Sequence, residues 1–286
     1  MDPVLADLLQ LLQLERIEQN IYRGESRDIG TPQVFGGQVL GQALHAAAQT
    51  VEGRHCHSLH AYFLRRGDVE APIVYEVDRA RDGGSFSSRR VVGIQHGKPI
   101  FNMAASFQAP ESGIEHQAEM PDVEGPDGLA DRSEVGEAVL AQVHEKMRRY
   151  LTRKRPFMVR PLRAPDYSNP KKLEPVKHVW IKAKDRLPDD PDLHQALMAY
   201  VSDYELLGTA TLPHAVSFVD GSVQMASLDH AMWFHQEFRV DEWLLFVFDS
   251  PSASGGRGTA RATVFTRAGK LVASTVQEGL IRLRST

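Results

Sequence analysis

The sequence predicts an α+β protein made of two copies of one small fold, each a helix followed by an antiparallel sheet. Three short anchors recur in the same order at an offset that is constant to within one residue: Phe63 and Phe234, Gly83-Gly84 and Gly255-Gly256, Gly97-Lys98 and Gly269-Lys270. Each half also contains a helix-periodic segment followed by four strand-like segments with turn residues between them. The repeat is longer than the roughly 20–50 residues of solenoid repeats, so it indicates a duplicated domain.

The first half is predicted to contain two helices and five strands. Asp2-Pro3 is typical of a helix start, and leucines at helical spacing follow it. Leu14–Tyr22 is interpreted as one strand. Gly36–Val51 carries an apolar stripe of helical period and many small residues, which predicts a buried helix whose glycines allow close packing on a sheet. Four strands then follow: Ser58–Leu64, Ile73–Ala80, Ser85–Ile94 and Pro99–Phe107.

A connecting segment and a second copy complete the chain. Ala109–Asp131 is rich in Pro, Gly, Asp and Glu and is interpreted as a linker, while Ser133–Leu151 has helical periodicity. A helix is predicted from Asp190-Pro191 to about Leu207. The predicted strands of the second half are Phe157–Leu162, His178–Lys184, Val223–Phe234, Trp243–Ser250, Arg257–Thr266 and Leu271–Leu283. The expected domains are residues 1–110, a linker with a helix over 111–155, and residues 156–286.

Composition excludes several classes of function. The chain has 42% hydrophobic and 24% charged residues, as ordinary globular proteins do. Its net charge of −4 gives no electrostatic footprint for nucleic acid or for an anionic membrane. No apolar run reaches the ~18 residues of a membrane span, and the single cysteine, Cys56, excludes an internal disulfide. We therefore expect a cytoplasmic protein that binds neither nucleic acid nor membrane.

Two clusters of residues suggest ligand sites but have simpler interpretations. His55, Cys56, His57 and His60 are close enough in sequence to suggest a metal site. Neighbours in a strand point to opposite faces, so His55 and His57 could share a metal only without Cys56, and we expect no metal and no cofactor. The basic run Arg-Lys-Arg at residues 153–155 could hold phosphate groups. The positive charge that a helix C-terminus favours is the preferred explanation of that run.

Three polar residues lie where the predicted elements should be apolar. Asp203 has mostly apolar neighbours at helical spacing, so its carboxylate should be partly desolvated and its pKa perturbed. Gln277 shares a strand face with Thr275, and Ser227 shares one with Asp229. For each residue taken alone, a buried polar group satisfied by the backbone is the simpler interpretation.

Six stretches carry a resemblance to a known family: VFGGQVLGQAL, YFLRRGDVEAPIVYEV, RDGGSFSSRRV, HGKPIFNMAASFQ, LDHAMWFH and LVASTVQEG. Together they resemble the type II acyl-CoA thioesterases over nearly the whole chain, and both halves contribute motifs. The resemblance implies a double hotdog fold, in which two long helices are each wrapped by an antiparallel sheet. It also implies hydrolysis of fatty acyl-CoA to fatty acid and CoA, and association into a homo-oligomer, a dimer or a tetramer.

The same resemblance assigns roles to the three polar residues. The family's catalytic aspartate, threonine and glutamine fall on Asp203, Ser227 and Gln277, so the C-terminal domain is expected to carry the site. Asp203 would accept a proton from water, while Ser227 and Gln277 would orient that water. Ser227 departs from the family pattern, because it keeps the hydroxyl of threonine and lacks the methyl group that restricts its rotamers.

Two alternatives remain open on the sequence alone. A non-catalytic acyl-CoA binding protein would keep the fold and lose the polar residues. An enoyl-CoA hydratase of the same fold would use a histidine with a carboxylate, for which Asp229-His230 is the candidate pair. His235 lies five residues beyond His230 and is expected on the opposite face of the strand.

Overall fold

One antiparallel sheet of 13 strands organises the part of the chain that the structure describes. The computed structural model describes residues 1–31, 33–134, 140–141, 145–164, 169–216 and 222–284. The helices in that part of the chain are α1 (Pro3–Leu12), α2 (Gly36–Ala48), α3 (Glu145–Thr152), α4 (Pro191–Ser202) and the 3₁₀ helix Leu207–His214. The first six strands are β1 (Glu15–Glu18), β2 (Ile21–Gly24), β3 (His55–Phe63), β4 (Ile73–Asp82), β5 (Phe86–Gln95) and β6 (Lys98–Gln108). The others are β7 (Phe157–Pro161), β8 (Val176–Ala183), β9 (Val223–Ser227), β10 (Asp229–Phe234), β11 (Leu244–Ser254), β12 (Arg257–Thr266) and β13 (Leu271–Leu283).

The two halves of the sheet have the same topology. The first half has the strand order β1-β2-β4-β5-β6-β3, and the second continues as β10-β13-β12-β11-β8-β7, with β9 paired to β13. The second order is the first one reversed, as expected for two copies related by a pseudo-twofold axis. β3 and β10 join the halves as antiparallel neighbours, with Ala231 opposite His60. Two strand edges that would otherwise be open to other chains are thereby paired, which confirms the predicted α+β architecture of two units.

The helices α2 and α4 pack directly against each other on one face of the sheet. A Cβ atom on Gly37 would lie 2.1 Å from the carbonyl oxygen of Tyr200, and one on Gly41 would lie 3.0 Å from that of Ala196. Only glycine permits so close an approach of two backbones. The prediction that these glycines serve close packing was therefore right, but the prediction that the partner is a sheet was wrong. The partner at these two positions is the helix of the other half.

Two predicted elements differ from the observed ones. Leu14–Tyr22 is a hairpin rather than one strand, since Asn20 adopts a left-handed conformation with φ of 65° between β1 and β2. α4 ends at Ser202 instead of continuing to about Leu207, because Glu205 has a φ of 63° that no right-handed helix allows. Of the helix predicted over residues 133–151, the described part is helical at residues 140–141 and over α3. The positions 135, 139 and 143 of its apolar pattern lie outside the described residues.

The predicted linker forms no helix or strand, and part of it covers the outer face of the sheet. Met120, Val123 and Leu129 pack on a buried cluster around Trp180, which lies on the face opposite to the helices. The indole Nε1–H of Trp180 donates a hydrogen bond of 2.9 Å to the carbonyl oxygen of Glu124. The second half of the sheet is thus covered on both faces at this point. Within the described ranges, no helix combines the length and apolar character needed to cross a membrane.

Candidate active site

Asp203 lies where three elements meet. It is the residue that caps the C-terminus of α4, directly after Ser202. Its Oδ2 atom accepts a hydrogen bond of 3.0 Å from the backbone N–H of Gly37, in the first turn of α2. Its Oδ1 atom accepts a hydrogen bond of 2.7 Å from Nε2 of Gln277, on β13. Two of the three residues predicted from the sequence are therefore in direct contact.

The surroundings of Asp203 change its acidity. Burial raises the pKa of Asp203 to about 6, and hydrogen bonds from Gln277, Gly37 and Ser227 oppose that rise. The residue is not fully enclosed, since it keeps an intermediate exposure to solvent. A carboxylate with such a pKa is ionised at neutral pH and is a stronger base than an ordinary aspartate. These properties suit a general base.

The side chain of Gln277 is buried and its orientation is defined by its neighbours. Its Nε2 atom donates to Asp203 and also lies 3.2 Å from Nδ1 of His230, so both amide hydrogens have acceptors. Its Oε1 atom is buried and has no hydrogen-bond partner among the described residues. A buried carbonyl oxygen without a partner is costly, because it loses its hydrogen bonds to water. The site therefore contains one acceptor that a bound molecule can satisfy.

A β-bulge turns Ser227 towards this site. Ser227 is the last residue of β9 and is paired with Gly279, whereas Ala231 on β10 is paired with Val276. Between these two pairs, the three residues 228–230 lie opposite only the two residues 277 and 278 of β13. Leu228 is the residue between the end of β9 and the start of β10. Because of this extra residue, Ser227 can face Asp203, and its hydroxyl lowers the pKa of that carboxylate through a hydrogen bond.

The bulge corrects two predictions. Val223–Phe234 is two strands, β9 and β10, rather than one. Ser227 does not share a face with Asp229, whose carboxylate instead accepts a hydrogen bond of 2.6 Å from the backbone N–H of Glu278. Asp229 thus stabilises the bulge from the other face. The prediction failed because alternation of side chains holds only in a strand without bulges.

The first half of the chain contributes the start of α2 to the site. A Cβ atom on Gly36 would lie 2.8 Å from Oδ2 of Asp203 and 3.1 Å from the ring of Phe63. Glycine at this position therefore leaves room for the carboxylate, while Gly37 donates its N–H. This contribution was not predicted from the sequence, since the site was expected in residues 156–286 alone. A glycine pair at a helix start was the available signal, since such N–H groups and the helix dipole favour negative charge.

Comparisons with known proteins identify the family. The sequence profile described as acyl-CoA thioesterase matches residues 149–280, and that described as acyl-CoA thioesterase N-terminal domain matches residues 23–108. The chain is 42% identical over 283 residues to Acyl-CoA thioesterase 2 of Haemophilus influenzae, covering 99% of each sequence. The chain belongs to the acyl-CoA thioesterase family. The prediction of a thioester hydrolase is thereby confirmed at the level of the family.

Solved structures agree with this assignment and with the fold. An acyl-CoA thioesterase II, TesB2, from Mycobacterium marinum is 44% identical, with a TM-score of 0.79, and the match covers 97% of this chain and 99% of that one. A protein of hot dog fold from Alicyclobacillus acidocaldarius is only 18% identical, yet it has a TM-score of 0.77 over 98% of this chain and 99% of that one. The predicted double hotdog fold of this acyl-CoA thioesterase family member is therefore confirmed.

His230 joins the site of this family member, although the sequence reasoning considered it only for a hydratase. Burial lowers the pKa of His230 to about 3, so the ring is neutral at physiological pH. Its ring nitrogens lie within hydrogen-bond distance of three side chains, Ser202, Thr275 and Gln277. Asp229 is bonded to Glu278 on the other face, so the two residues do not form a histidine–carboxylate pair. His235 lies exposed on that other face, as expected.

The histidines near Cys56 have separate partners. Nδ1 of His55 lies 3.0 Å from a carboxylate oxygen of Asp192, and Nε2 of His57 lies 2.8 Å from the hydroxyl of Ser106. The Cys56 thiol is buried and donates to the carbonyl oxygen of Ser58. No group of three or more potential metal-binding side chains occurs among the residues that the structure describes.

The basic run at residues 153–155 borders a cavity of 320 Å³ beside α1. Arg153 donates to the carbonyl oxygen of Ile29, and the buried Arg155 lies 3.5 Å from that of Leu151, at the end of α3. The contact to Leu151 agrees with the preferred explanation, in which cations interact with the last carbonyl groups of a helix. Tyr200 and Tyr204 also line this cavity, so it lies close to Asp203.

Proposed function

We propose that this acyl-CoA thioesterase family member hydrolyses fatty acyl-CoA to free fatty acid and CoA, with water as the nucleophile. The contact between Asp203 and Gln277 carries the proposal. It combines a carboxylate whose pKa is raised to about 6 with an amide whose carbonyl oxygen has no partner in the described chain. A water molecule between these two groups would be both deprotonated and oriented. No side chain needs to form a covalent intermediate.

Asp203 is the proposed general base. An ionised carboxylate has about four lone-pair positions, and Gln277, Gly37 and Ser227 use three of them. The remaining position can accept a hydrogen from water. As the water oxygen forms a bond to the thioester carbon, its proton moves to Asp203. The tetrahedral intermediate then collapses, the C–S bond breaks, and CoA leaves as the thiol, because Asp203 returns the proton to its sulfur.

Gln277 and Ser227 are the proposed orienting groups. The Oε1 atom of Gln277 is the free acceptor beside Asp203, and it can accept the second hydrogen of the attacking water. The Ser227 hydroxyl donates its hydrogen to Asp203 and so orients the carboxylate that accepts the other hydrogen of the water. Two fixed hydrogen bonds, to Asp203 and to Gln277, hold the water oxygen in one direction. Such positioning lowers the entropic part of the barrier.

The start of α2 is the proposed site for the oxyanion that forms on the thioester carbonyl. The N–H of Gly37 is already bonded to Asp203, and the next two N–H groups of α2 are bonded to the carbonyl oxygen of Phe35. The N–H of Gly36 is therefore the donor that this helix end offers. The positive end of the helix dipole also favours negative charge. Gly36 and Gly37 bring this end of α2 to Asp203 without a side chain in between. Hydrogen bonds that strengthen as the oxyanion forms lower the barrier of acyl transfer.

The two alternative functions have less support than hydrolysis. A hydratase that used Asp229 with His230 would need both side chains on one face of the sheet. Asp229 is bonded to the backbone of Glu278, whereas His230 is buried on the opposite face. A protein that only binds acyl-CoA would have no use for a carboxylate held by Gln277 and Gly37 at a raised pKa.

One experiment separates the three functions. Saturated acyl-CoA and 2-enoyl-CoA substrates are incubated with the protein, and free thiol release and enoyl absorbance are followed, with Asp203→Asn as the matched control. Hydrolysis predicts thiol release by the wild type and its loss in the control. Loss of enoyl absorbance without thiol would support the hydratase. Saturable binding by calorimetry without either reaction would support a binding protein. A series of acyl-chain lengths then defines the preferred substrate.

We also propose that the chain associates into a homo-oligomer, a dimer or a tetramer, and that its domains are residues 1–110 and 156–286 with a connecting segment over 111–155. The pairing of β3 with β10 supports two sheet units within the chain. Light scattering on the purified protein measures the oligomer. A molecular mass of one chain at micromolar concentration would contradict the oligomer. The cytoplasmic location remains a prediction.

A further inference from the structure

His230 lies in the core of the sheet–helix interface, behind the proposed catalytic residues. It is on β10, and only 1% of its surface is exposed. Nε2 of its ring lies 2.9 Å from the hydroxyl of Ser202 at the end of α4 and 2.9 Å from that of Thr275 on β13. Nδ1 lies 3.2 Å from Nε2 of Gln277. Three polar side chains from two elements, α4 and β13, therefore converge on one imidazole.

The hydrogen-bond partners define which ring nitrogen carries the proton. The hydroxyl of Ser202 donates its hydrogen to the carbonyl oxygen of Ala199, and that of Thr275 donates to Ala231, both at 2.9 Å. Each hydroxyl has one hydrogen, so neither can donate to His230 as well. A hydrogen on Nε2, shared by the two hydroxyl oxygens, is the assignment that agrees with both donations and with the NH₂ group of Gln277, which cannot accept a hydrogen, beside Nδ1. Because a neutral imidazole has one N–H, Nδ1 is an acceptor.

This tautomer determines the orientation of the Gln277 amide. An accepting Nδ1 requires the NH₂ group of Gln277 opposite it, at 3.2 Å, and Asp203 accepts the other hydrogen of that group at 2.7 Å. With both hydrogens used, Oε1 must point to the remaining side, where it has no partner among the described residues. A rotation of the amide by 180° would place oxygen against the Asp203 carboxylate and against Nδ1, and both contacts would be repulsive.

We propose that His230 is a positioning residue that, through Nδ1, fixes the Gln277 amide so that its carbonyl oxygen faces the attacking water. The proposal rests on the proposed function and deepens it. His230 touches neither the water nor the thioester. Burial keeps the ring neutral, with a pKa of about 3, so the acceptor at Nδ1 is retained over the whole physiological pH range.

A matched pair of substitutions tests the role of Nδ1. In His230→Asn the side-chain oxygen is as many bonds from Cβ as Nδ1, so it can accept from Gln277. In His230→Gln the side-chain amide is one bond further from Cβ, at the distance of Nε2 of the histidine ring. The acceptor at the position of Nδ1 is therefore lost. We expect His230→Gln to lower kcat by ~10- to 100-fold, as for a slightly misplaced catalytic group, with KM nearly unchanged. His230→Asn should recover most of that loss.

A double-mutant cycle tests whether His230 acts on kcat by way of Gln277. In Gln277→Ala, His230→Gln should lower kcat by less than about threefold further, because the amide that it orients is absent. Additive losses would overturn the proposal, as would equal kcat values for His230→Asn and His230→Gln in the presence of Gln277. His235→Gln, on the outer face, is the control for a general effect of losing a histidine, and its kcat should equal that of the wild type.

The tautomer can be observed directly and without activity. In protein labelled with ¹⁵N at histidine, the resonances of His230 are those that disappear in His230→Asn. We expect the neutral tautomer protonated at Nε2, and a proton on Nδ1 would overturn the proposal. Asp203→Asn is measured in the same kinetic assay. If Asp203→Asn is fully active, the proposed function fails; if it is inactive while His230→Gln equals the wild type, only the inference about His230 fails.

Discussion

Asp203→Asn should have opposite effects on catalysis and on stability. The pKa of Asp203 is raised from 3.8 to about 6, chiefly by burial, so the folded state binds this proton more tightly than the unfolded state. Wild-type stability therefore decreases as the pH rises through this range. At pH values above both pKa values, the ionised carboxylate lowers the free energy of unfolding by at most about 3 kcal/mol, at 1.36 kcal/mol per pKa unit. This figure is an upper bound because the residue keeps some exposure to water.

The pH dependence of this cost gives a sharper prediction than its size. At pH 5 about 1.6 kcal/mol of the cost is present and at pH 8 about 3 kcal/mol, so about 1.4 kcal/mol develops between them. Asparagine does not titrate. Its amide would also place a donor near Gly37 or Gln277, which adds a penalty that is the same at both pH values. We therefore expect the free energy of unfolding of Asp203→Asn, relative to the wild type, to be up to about 1.4 kcal/mol higher at pH 8 than at pH 5.

Urea denaturation of both proteins at the two pH values measures this difference, and thiol release from acyl-CoA measures kcat. Loss of the general base should lower kcat by at least ~10²-fold. Asp82→Asn is the matched control, because Ser87 and Arg89 lower the pKa of Asp82 and its carboxylate is ionised throughout this pH range. Its effect on stability should be the same at both pH values. A relative stability of Asp203→Asn that is constant or that increases towards pH 5 would refute the reasoning.

Three further predictions concern the pH profile, Ser227 and the helix contact. kcat/KM should rise with pH through about 6 and then level off, since only ionised Asp203 accepts a proton; a flat profile would contradict its role as base. Ser227→Ala should lower kcat by roughly 10- to 1000-fold and Ser227→Thr should remain active; an alanine variant as active as the wild type would make Ser227 a structural residue only. Gly41→Val should destabilise the fold by ~1–3 kcal/mol in urea denaturation, because its Cβ would lie 3.0 Å from the carbonyl oxygen of Ala196. Gly113→Val, in open space, is the control, and an equal effect of both would disprove the helix contact.

The parts of the fold that were predictable have local signals in the sequence. The observed bounds of β12, Arg257–Thr266, and of β13, Leu271–Leu283, equal the predicted ones. Both strands are bordered by glycine turns with positive φ at Gly255, Gly256 and Gly269, which only glycine adopts readily. The end of α4 lacked such a signal. Glu205 supplies the left-handed residue there, in a segment whose apolar spacing continues the helical pattern.

The parts of the site that were not predictable depend on contacts between distant residues. Gly37 and Asp203 are 166 positions apart, and no local pattern connects them. The bulge at Leu228 was hidden because the segment has good strand composition on both sides of it. His230 was considered only for a hydratase, because its partners lie on α4 and β13 and could not be assigned without the three-dimensional register. Asp203 and Gln277 could be singled out from the sequence as polar residues in apolar patterns, and the resemblance to the family supplied their proposed roles.

The mirrored strand order makes the two halves unequal partners in chemistry. The β3–β6 register pairs Leu59 with Ala105, and the same place in the second half is held by His230 beside Gln277. Leu59 and Ala105 are both buried and apolar, so this place in the first half offers packing alone. The pseudo-twofold symmetry of the backbone therefore does not extend to the polar side chains, and the proposed chemistry is expected at one of the two equivalent places.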